Sequence, residues 1–203
     1  VKIALFPLDV VLFPDTQLPL HIFEERYKEM IGACLAGEIE LGVVRAQREG
    51  LAIAGCIASV NRVLRRYPDG RLDILCVGTQ RFEIEQLDDS LSFLQAEVDI
   101  FEDGPLDATR EERAACVAMH LEVMSLAGIG RESYSFDLDT PISFQLADEL
   151  PADLGFKQRL LQIRSDKERT AMLVAFYEEM LPKLRMGSAA QSTHSKNGHG
   201  HIM

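Results

Sequence analysis

The sequence predicts an α+β protein, a β-rich first half built around one helix and followed by an α-helical bundle. Three observations carry this. Up to about residue 100, apolar residues alternate or run in short stretches separated by turn residues. One segment within that half switches to a helical period. From about residue 104, helix-capping signals and helical stripes replace the strand signals.

In the first half, Phe6-Pro7-Leu8-Asp9-Val10-Val11-Leu12-Phe13-Pro14 is apolar and bounded by prolines. Proline cannot donate to a sheet ladder, so the segment belongs at an edge or in turns. After Leu18-Pro19-Leu20, Ile22, Phe23, Tyr27, Met30, Ile31, Cys34 and Leu35 fall on one helical stripe that His21 opens and Gly37 ends. Short strands are expected over 41–44, 51–60, 63–67, 71–77, 80–85 and 94–100, with Gly55 marking a bulge or a close backbone approach. Pro68-Asp69-Gly70 supplies a fixed φ and residues that tolerate positive φ, which makes a hairpin. Strands at this spacing suggest a barrel or sandwich-like unit.

In the second half, Thr109-Arg110-Glu111-Glu112 has capping-box spacing before a helix running to about Ala127. Thr140-Pro141 opens a short helix to about Leu150, and a further one is expected over 153–163. Ser165-Asp166-Lys167-Glu168 is a second capping box. It precedes an apolar helix through Ala171, Leu173, Phe176 and Met180 that should stop before Pro182. From Gly187 the composition is small and polar, as in disordered tails. The expected organisation is a β-rich subdomain over 1–103, a helical subdomain over 104–185 and a disordered tail over 186–203.

At 203 residues and 22.7 kDa the chain can bury a core without disulfide or metal staples. Its formal charge of −11 argues against phosphate backbones and anionic membranes. Arg62, Arg65, Arg66 and Arg71 approach a basic patch, but Asp69 and Asp73 interrupt it, which reads as a solvated hairpin. Cys34, Cys56, Cys76 and Cys116 lie far apart among apolar residues, as reduced buried thiols do. The apolar run over 3–13 is too short to span a bilayer and lacks a cleavage site, so a cytoplasmic location is expected.

Reactive chemistry is hard to place. No phosphate-binding loop and no G-x-S-x-G is present, and Gly128-Ile129-Gly130 reads as a helix end. A Cys34–His21–Asp9 constellation can be drawn, but thirteen residues of helix would separate the thiol and the imidazole by about 20 Å. His120 reads as a packed mid-helix residue, and His194, His199 and His201 in the tail would support only adventitious metal binding. Eleven acids against one arginine between Glu83 and Glu112 read as a solvated face. No catalytic residue, metal site or cofactor is expected.

The opening 6–14 segment with Leu18-Pro19-Leu20-His21-Ile22-Phe23-Glu24-Glu25-Arg26-Tyr27 resembles the start of the Lon N-terminal, substrate-binding domain family. Gly78-Thr79-Gln80-Arg81-Phe82 is similar to that family's G-x-x-R-F strand entry. Leu150-Pro151-Ala152-Asp153 with Lys157-Gln158-Arg159-Leu160-Leu161 resembles its late helical motif. The ordered set spans residues 3–181. The resemblance implies a PUA-like β pseudo-barrel with one helix, followed by a helical bundle. It also implies a stand-alone, non-enzymatic relative, since no Walker motif or protease domain follows. The expected activity is binding of unfolded or exposed-hydrophobic polypeptide, or service as a proteolysis adaptor, with a protease or an ATPase as a further partner. Expected contact residues are Glu25, Arg26 and Glu29 on the helix and Arg66 and Tyr67 at the hairpin tip. RNA binding through a PUA-like fold is the alternative, disfavoured by the charge. A small hydrolase without a recognisable motif is the third reading.

Overall fold

The computed structural model describes residues 1–129 and 135–196, with side chains described through residue 187. In chain order the elements are β1 (Lys2–Leu8), β2 (Gln17–Ile22), α1 (Glu25–Ala36), β3 (Leu41–Gln47), β4 (Gly50–Arg66), β5 (Leu72–Asp88), β6 (Gln95–Phe101), α2 (Arg110–Leu126), α3 (Ser143–Glu149), α4 (Leu154–Gln162) and α5 (Asp166–Lys196). The chain forms two compact units, one of residues 1–103 with 147–164, the other of 104–146 with 165 onward.

The first unit holds one six-stranded sheet in the order β2-β5-β4-β3-β1-β6, bridged by a further β5–β6 pairing. This ring-like arrangement corrects the expectation of a PUA-like pseudo-barrel. A barrel keeps one apolar interior, whereas here the sheet is buried on both faces. β1 sends Ala4 and Phe6 into one cluster, with Leu12, Ile22, Met30, Ile31 and Ile74, and sends Ile3 and Leu5 into another, with Val44, Ile57, Phe82 and Val98. The short strands expected from turn spacing are also fused. β4 and β5 are 17 residues each; they stay paired with one another past bulges at Asn61 and Leu64, and β5 stays paired with β6 past one at Glu85. Extra residues taken up in this way keep a strand going where the pattern of alternation breaks.

Prolines sit where the ladder allows them. Pro7 faces Val44 of β3 at a level that β6 does not reach, and Pro19 lies on the edge strand β2. Gly55 and Gly78 mark close approaches. A Cβ on Gly55 would strike the Phe82 ring and the Val43 carbonyl, and one on Gly78 would strike the Phe13 carbonyl.

The segment 78–82 has a structural explanation. Gly78 lets the chain pass Phe13, and Phe82 fills the core. The guanidinium of Arg81 donates to the Leu161 and Ile163 carbonyls at 2.8 and 2.7 Å and pairs with Asp103. Its Cζ lies 4.5 Å from the Phe101 ring centroid. Gln158 of α4 donates to the Ala54 carbonyl at 2.9 Å. These bonds hold α4 on the sheet.

In the second unit, α2 packs on α5. Thr109 completes the expected capping box with Glu112, the carboxylate accepting from the Thr109 N–H at 2.7 Å. Buried Asp166 pairs with Arg113 at 3.2 Å and Arg169 at 3.6 Å. His120 lies 3.0 Å from the Tyr177 hydroxyl, in the packed role expected of it. Two boundaries need correction. α3 starts at Ser143, two residues past the expected proline start, because the Thr140 hydroxyl turns back to the Asp137 carbonyl. α5 continues through Pro182 instead of stopping there. Pro182 and Glu178 are both exposed, so water can satisfy the carbonyl that the missing N–H leaves open. The disorder expected in the tail falls, from residue 197, outside the described residues. So do the side chains of His194, His199 and His201.

Candidate functional site

α1 starts after Glu24 and closes on Gly37, whose positive φ of 75° makes the left-handed cap that the sequence suggests. Only the middle of the expected stripe is buried. Met30 and Ile31 are in the core, with Tyr27 and Cys34 partly covered. Ile22 reaches that core from β2, not from the helix, and Phe23 and Leu35 point outward, Phe23 with 59% of its surface exposed. His21 therefore belongs to β2 and does not open the helix.

Each expected contact residue lies on the first unit's surface. Glu25 accepts from Lys28 at 2.7 Å, Arg26 pairs with Glu24 at 2.8 Å and covers the Tyr27 ring, and Glu29 accepts from Ser92 at 2.6 Å. Arg66 ends β4, exposed, and Tyr67 begins the turn into β5. The structure brings the two groups together. Lys28 also donates to the Asp69 carbonyl at 3.0 Å, so the first turn of α1 touches the hairpin tip.

Several members of this surface were not visible in sequence. His21 Nδ1 lies 2.5 Å from one oxygen of Asp73, and Tyr67 donates to the other at 2.8 Å. These two hydrogen bonds, His21's first, hold the Asp73 carboxyl below its ordinary range. Arg65 and Arg71 lie 4.6 and 4.8 Å from the Tyr67 ring centroid, and Phe23 stacks on His21 at 5.9 Å. Asp73 and His21 are partners across the β2–β5 ladder, so register joins them, not sequence spacing. Asp69 and Asp73 thus take partners of their own and leave Arg62 and Arg66 without an ion pair among the described residues.

Burial pushes the thiols up, to about 11 for Cys34 and Cys76 and about 12 for Cys56 and Cys116, the opposite of an activated nucleophile. Among the described residues no group of three His, Cys, Asp or Glu side chains could hold a metal ion, and no helix is long and apolar enough to cross a membrane.

Residues 2–179 match the model of the ATP-dependent protease La (LON) substrate-binding domain. The chain belongs to that family. It is 27% identical to the Lon protease of Roseiflexus castenholzii over 99% of its length and 26% identical to that of Escherichia coli K12 over 92%. It spans about a quarter of the length of these relatives, covering 27% and 26% of them. The match is to the non-catalytic substrate-binding region, not to the full multidomain protease. The crystal structure of a Lon N-terminal domain protein from Xanthomonas campestris superposes with a TM-score of 0.71 at 26% identity, over 86% of this chain and 98% of that one. The N-terminal domain of the Mycobacterium avium complex Lon protease shares the fold at 17% identity, with a TM-score of 0.62 over 88% of this chain and 98% of that one.

Proposed function

We propose that this chain grips exposed apolar or unfolded polypeptide through the surface where α1 meets the β4–β5 hairpin. The observation that carries the reading is the surface group of exposed Phe23 and His21 with half-buried Tyr67, Arg65 and Arg71 lying over the tyrosine ring. Aromatic and arginine side chains supply large contact area with little entropy to lose, and they dominate protein-binding patches. Glu25, Arg26, Glu29 and Arg66 form the polar rim, with Tyr67 inside it. In this role the chain delivers clients to a protease or an ATPase. Its four free cysteines suit a reducing compartment, the cytoplasm.

Fluorescence anisotropy with a labelled unfolded protein, its cysteines blocked as amides, tests this. Micromolar binding is expected, weakened at least about fivefold by F23A or Y67A, a loss of about 1 kcal/mol. Absence of binding at high micromolar concentration overturns the reading.

A further inference from the structure

β4 is paired on both sides for only part of its length. The β3 ladder ends at Leu41 opposite Ala58, and from Ser59 to Arg66 β4 pairs with β5 alone. The chain ahead of Leu41 leaves the sheet for the Gly37 cap of α1, so no described strand continues that ladder. What remains is a sheet edge that no described strand pairs.

Two features of this edge describe what it would accept. At its start lies a cleft of about 650 Å³, with Leu35, Ile39 and Val60 in its apolar lining and Lys2, Glu38 and Glu40 in its charged lining. Farther along come Arg62, Arg65 and Arg66, with no acid between Ser59 and Pro68, in a protein whose net charge is −11. Bulges at Asn61 and Leu64 break the register with β5, and Leu64 is 51% exposed.

We propose that this edge takes an extended acidic polypeptide segment as an added strand, an apolar side chain seated in the cleft and carboxylates on Arg62 and Arg66. The proposal rests on the polypeptide-binding reading and deepens it by naming the class of segment and a second contact surface. Strand addition draws affinity from main-chain hydrogen bonds and specificity from the side chains that flank them. The arginines make the edge a poor partner for basic strands. A second copy of this chain would set arginine against arginine. Carboxylates reverse that repulsion and can accept two guanidinium bonds each.

The probe is a labelled, unstructured peptide alternating Glu with Val and Leu. It is compared with the same peptide carrying Lys for Glu, and with the Glu peptide N-methylated at alternate backbone nitrogens. Anisotropy should show the Glu peptide binding at least about tenfold more tightly than either control, and R62E/R66E should lose at least about tenfold. Circular dichroism checks that the variant is folded, and R62A/R66A should show a smaller loss. Equal affinity for the Glu and Lys peptides, tolerance of N-methylation, or indifference to R62E/R66E overturns the proposal. So does tighter binding of a single-stranded oligonucleotide that R62E/R66E abolishes, which would make the edge a nucleic-acid site. The unfolded-protein probe run alongside separates the two readings. If it still binds while the peptide results fail, the acidic-strand assignment falls alone. If neither binds, polypeptide recognition falls with it.

Discussion

Lys28 reaches from the first turn of α1 to the Asp69 carbonyl at 3.0 Å while holding Glu25 at 2.7 Å, so one ammonium ties the helix to a hairpin tip 41 positions away. The aliphatic stem also lies under Gly70, 3.7 Å from where a Cβ would sit. The turn is otherwise closed by its own bonds, from Gly70 N–H to the Tyr67 carbonyl at 3.0 Å and from Tyr67 N–H to the Arg71 carbonyl at 2.9 Å.

Replacing Lys28 by Ala should therefore loosen the tip without unfolding the protein. One hydrogen bond to a solvent-accessible carbonyl is worth about 1 kcal/mol at most. Hydrogen exchange should quicken at Gly70 and Arg71 while the amides of Met30 and Ile31 stay protected. Uniform exchange changes would show that Lys28 supports the whole unit instead.

The Met30 side chain is wholly enclosed, and Met30→Ala should cost about 2–5 kcal/mol in urea unfolding, the range for a core cavity. Phe176, which a helical stripe would equally bury, is only half-covered on α5, whereas its neighbour Tyr177 is enclosed. Phe176→Ala should accordingly cost less than Met30→Ala. Equal losses would contradict the placement of that ring.

These two side chains show what periodicity could and could not tell. Met30 and Phe176 both fit a stripe, but a stripe fixes only relative angle, and which residues at its margin are covered depends on what packs there. Most local signals held where the chemistry is local, the Thr140-Pro141 start and the Pro182 stop being the exceptions. The Thr109 box, the Gly37 cap and the 68–70 turn all involve bonds within a few residues. Non-local register was not legible. His21 facing Asp73, the fusion of strands across Asn61 and Leu64, and the two-sided burial of β1 all depend on pairings set far away in sequence. The sheet's ring-like closure, which replaced the expected barrel, belongs to this second group.

Asp73 gives a pH signature. Its folded pKa lies below the unfolded value of about 4, so between the two values the unfolded chain binds more protons and stability rises with pH. The carboxylate's contribution is complete above about pH 4 and is lost as pH falls through the folded value. Asp73→Asn should be less stable than wild type at pH 7, and the gap should narrow at pH 3. A gap independent of pH would mean that the carboxylate's charge does not matter there.

Gly78→Ala should be more damaging than its chemistry suggests. The added methyl meets the backbone carbonyl of Phe13, which cannot rotate away as a side chain can. Gly78 is also bonded to the same loop, its N–H to the Thr16 carbonyl at 3.0 Å and its carbonyl to the Asp15 N–H at 2.9 Å. Overpacking with loss of these bonds should cost about 3 kcal/mol or more in urea unfolding. A cost below about 1 kcal/mol would show that the loop yields.

Arg81 offers the sharpest separation of charge from shape. Its guanidinium spans the Leu161 and Ile163 carbonyls and the Asp103 carboxylate, and stacks on Phe101. Arg81→Lys keeps the cation, but one ammonium cannot reproduce the planar fork or the ring stacking. It should leave at least one helix-end carbonyl unpaired, at about 1–3 kcal/mol. Arg81→Met removes the cation as well and with it Asp103's pairing to Arg81, so it should cost more than the lysine variant. Hydrogen exchange should locate the damage at the end of α4, with the amides of α1 unaffected. If the lysine variant matched wild type, charge would suffice for Arg81's part in holding α4, and the fork geometry would be incidental.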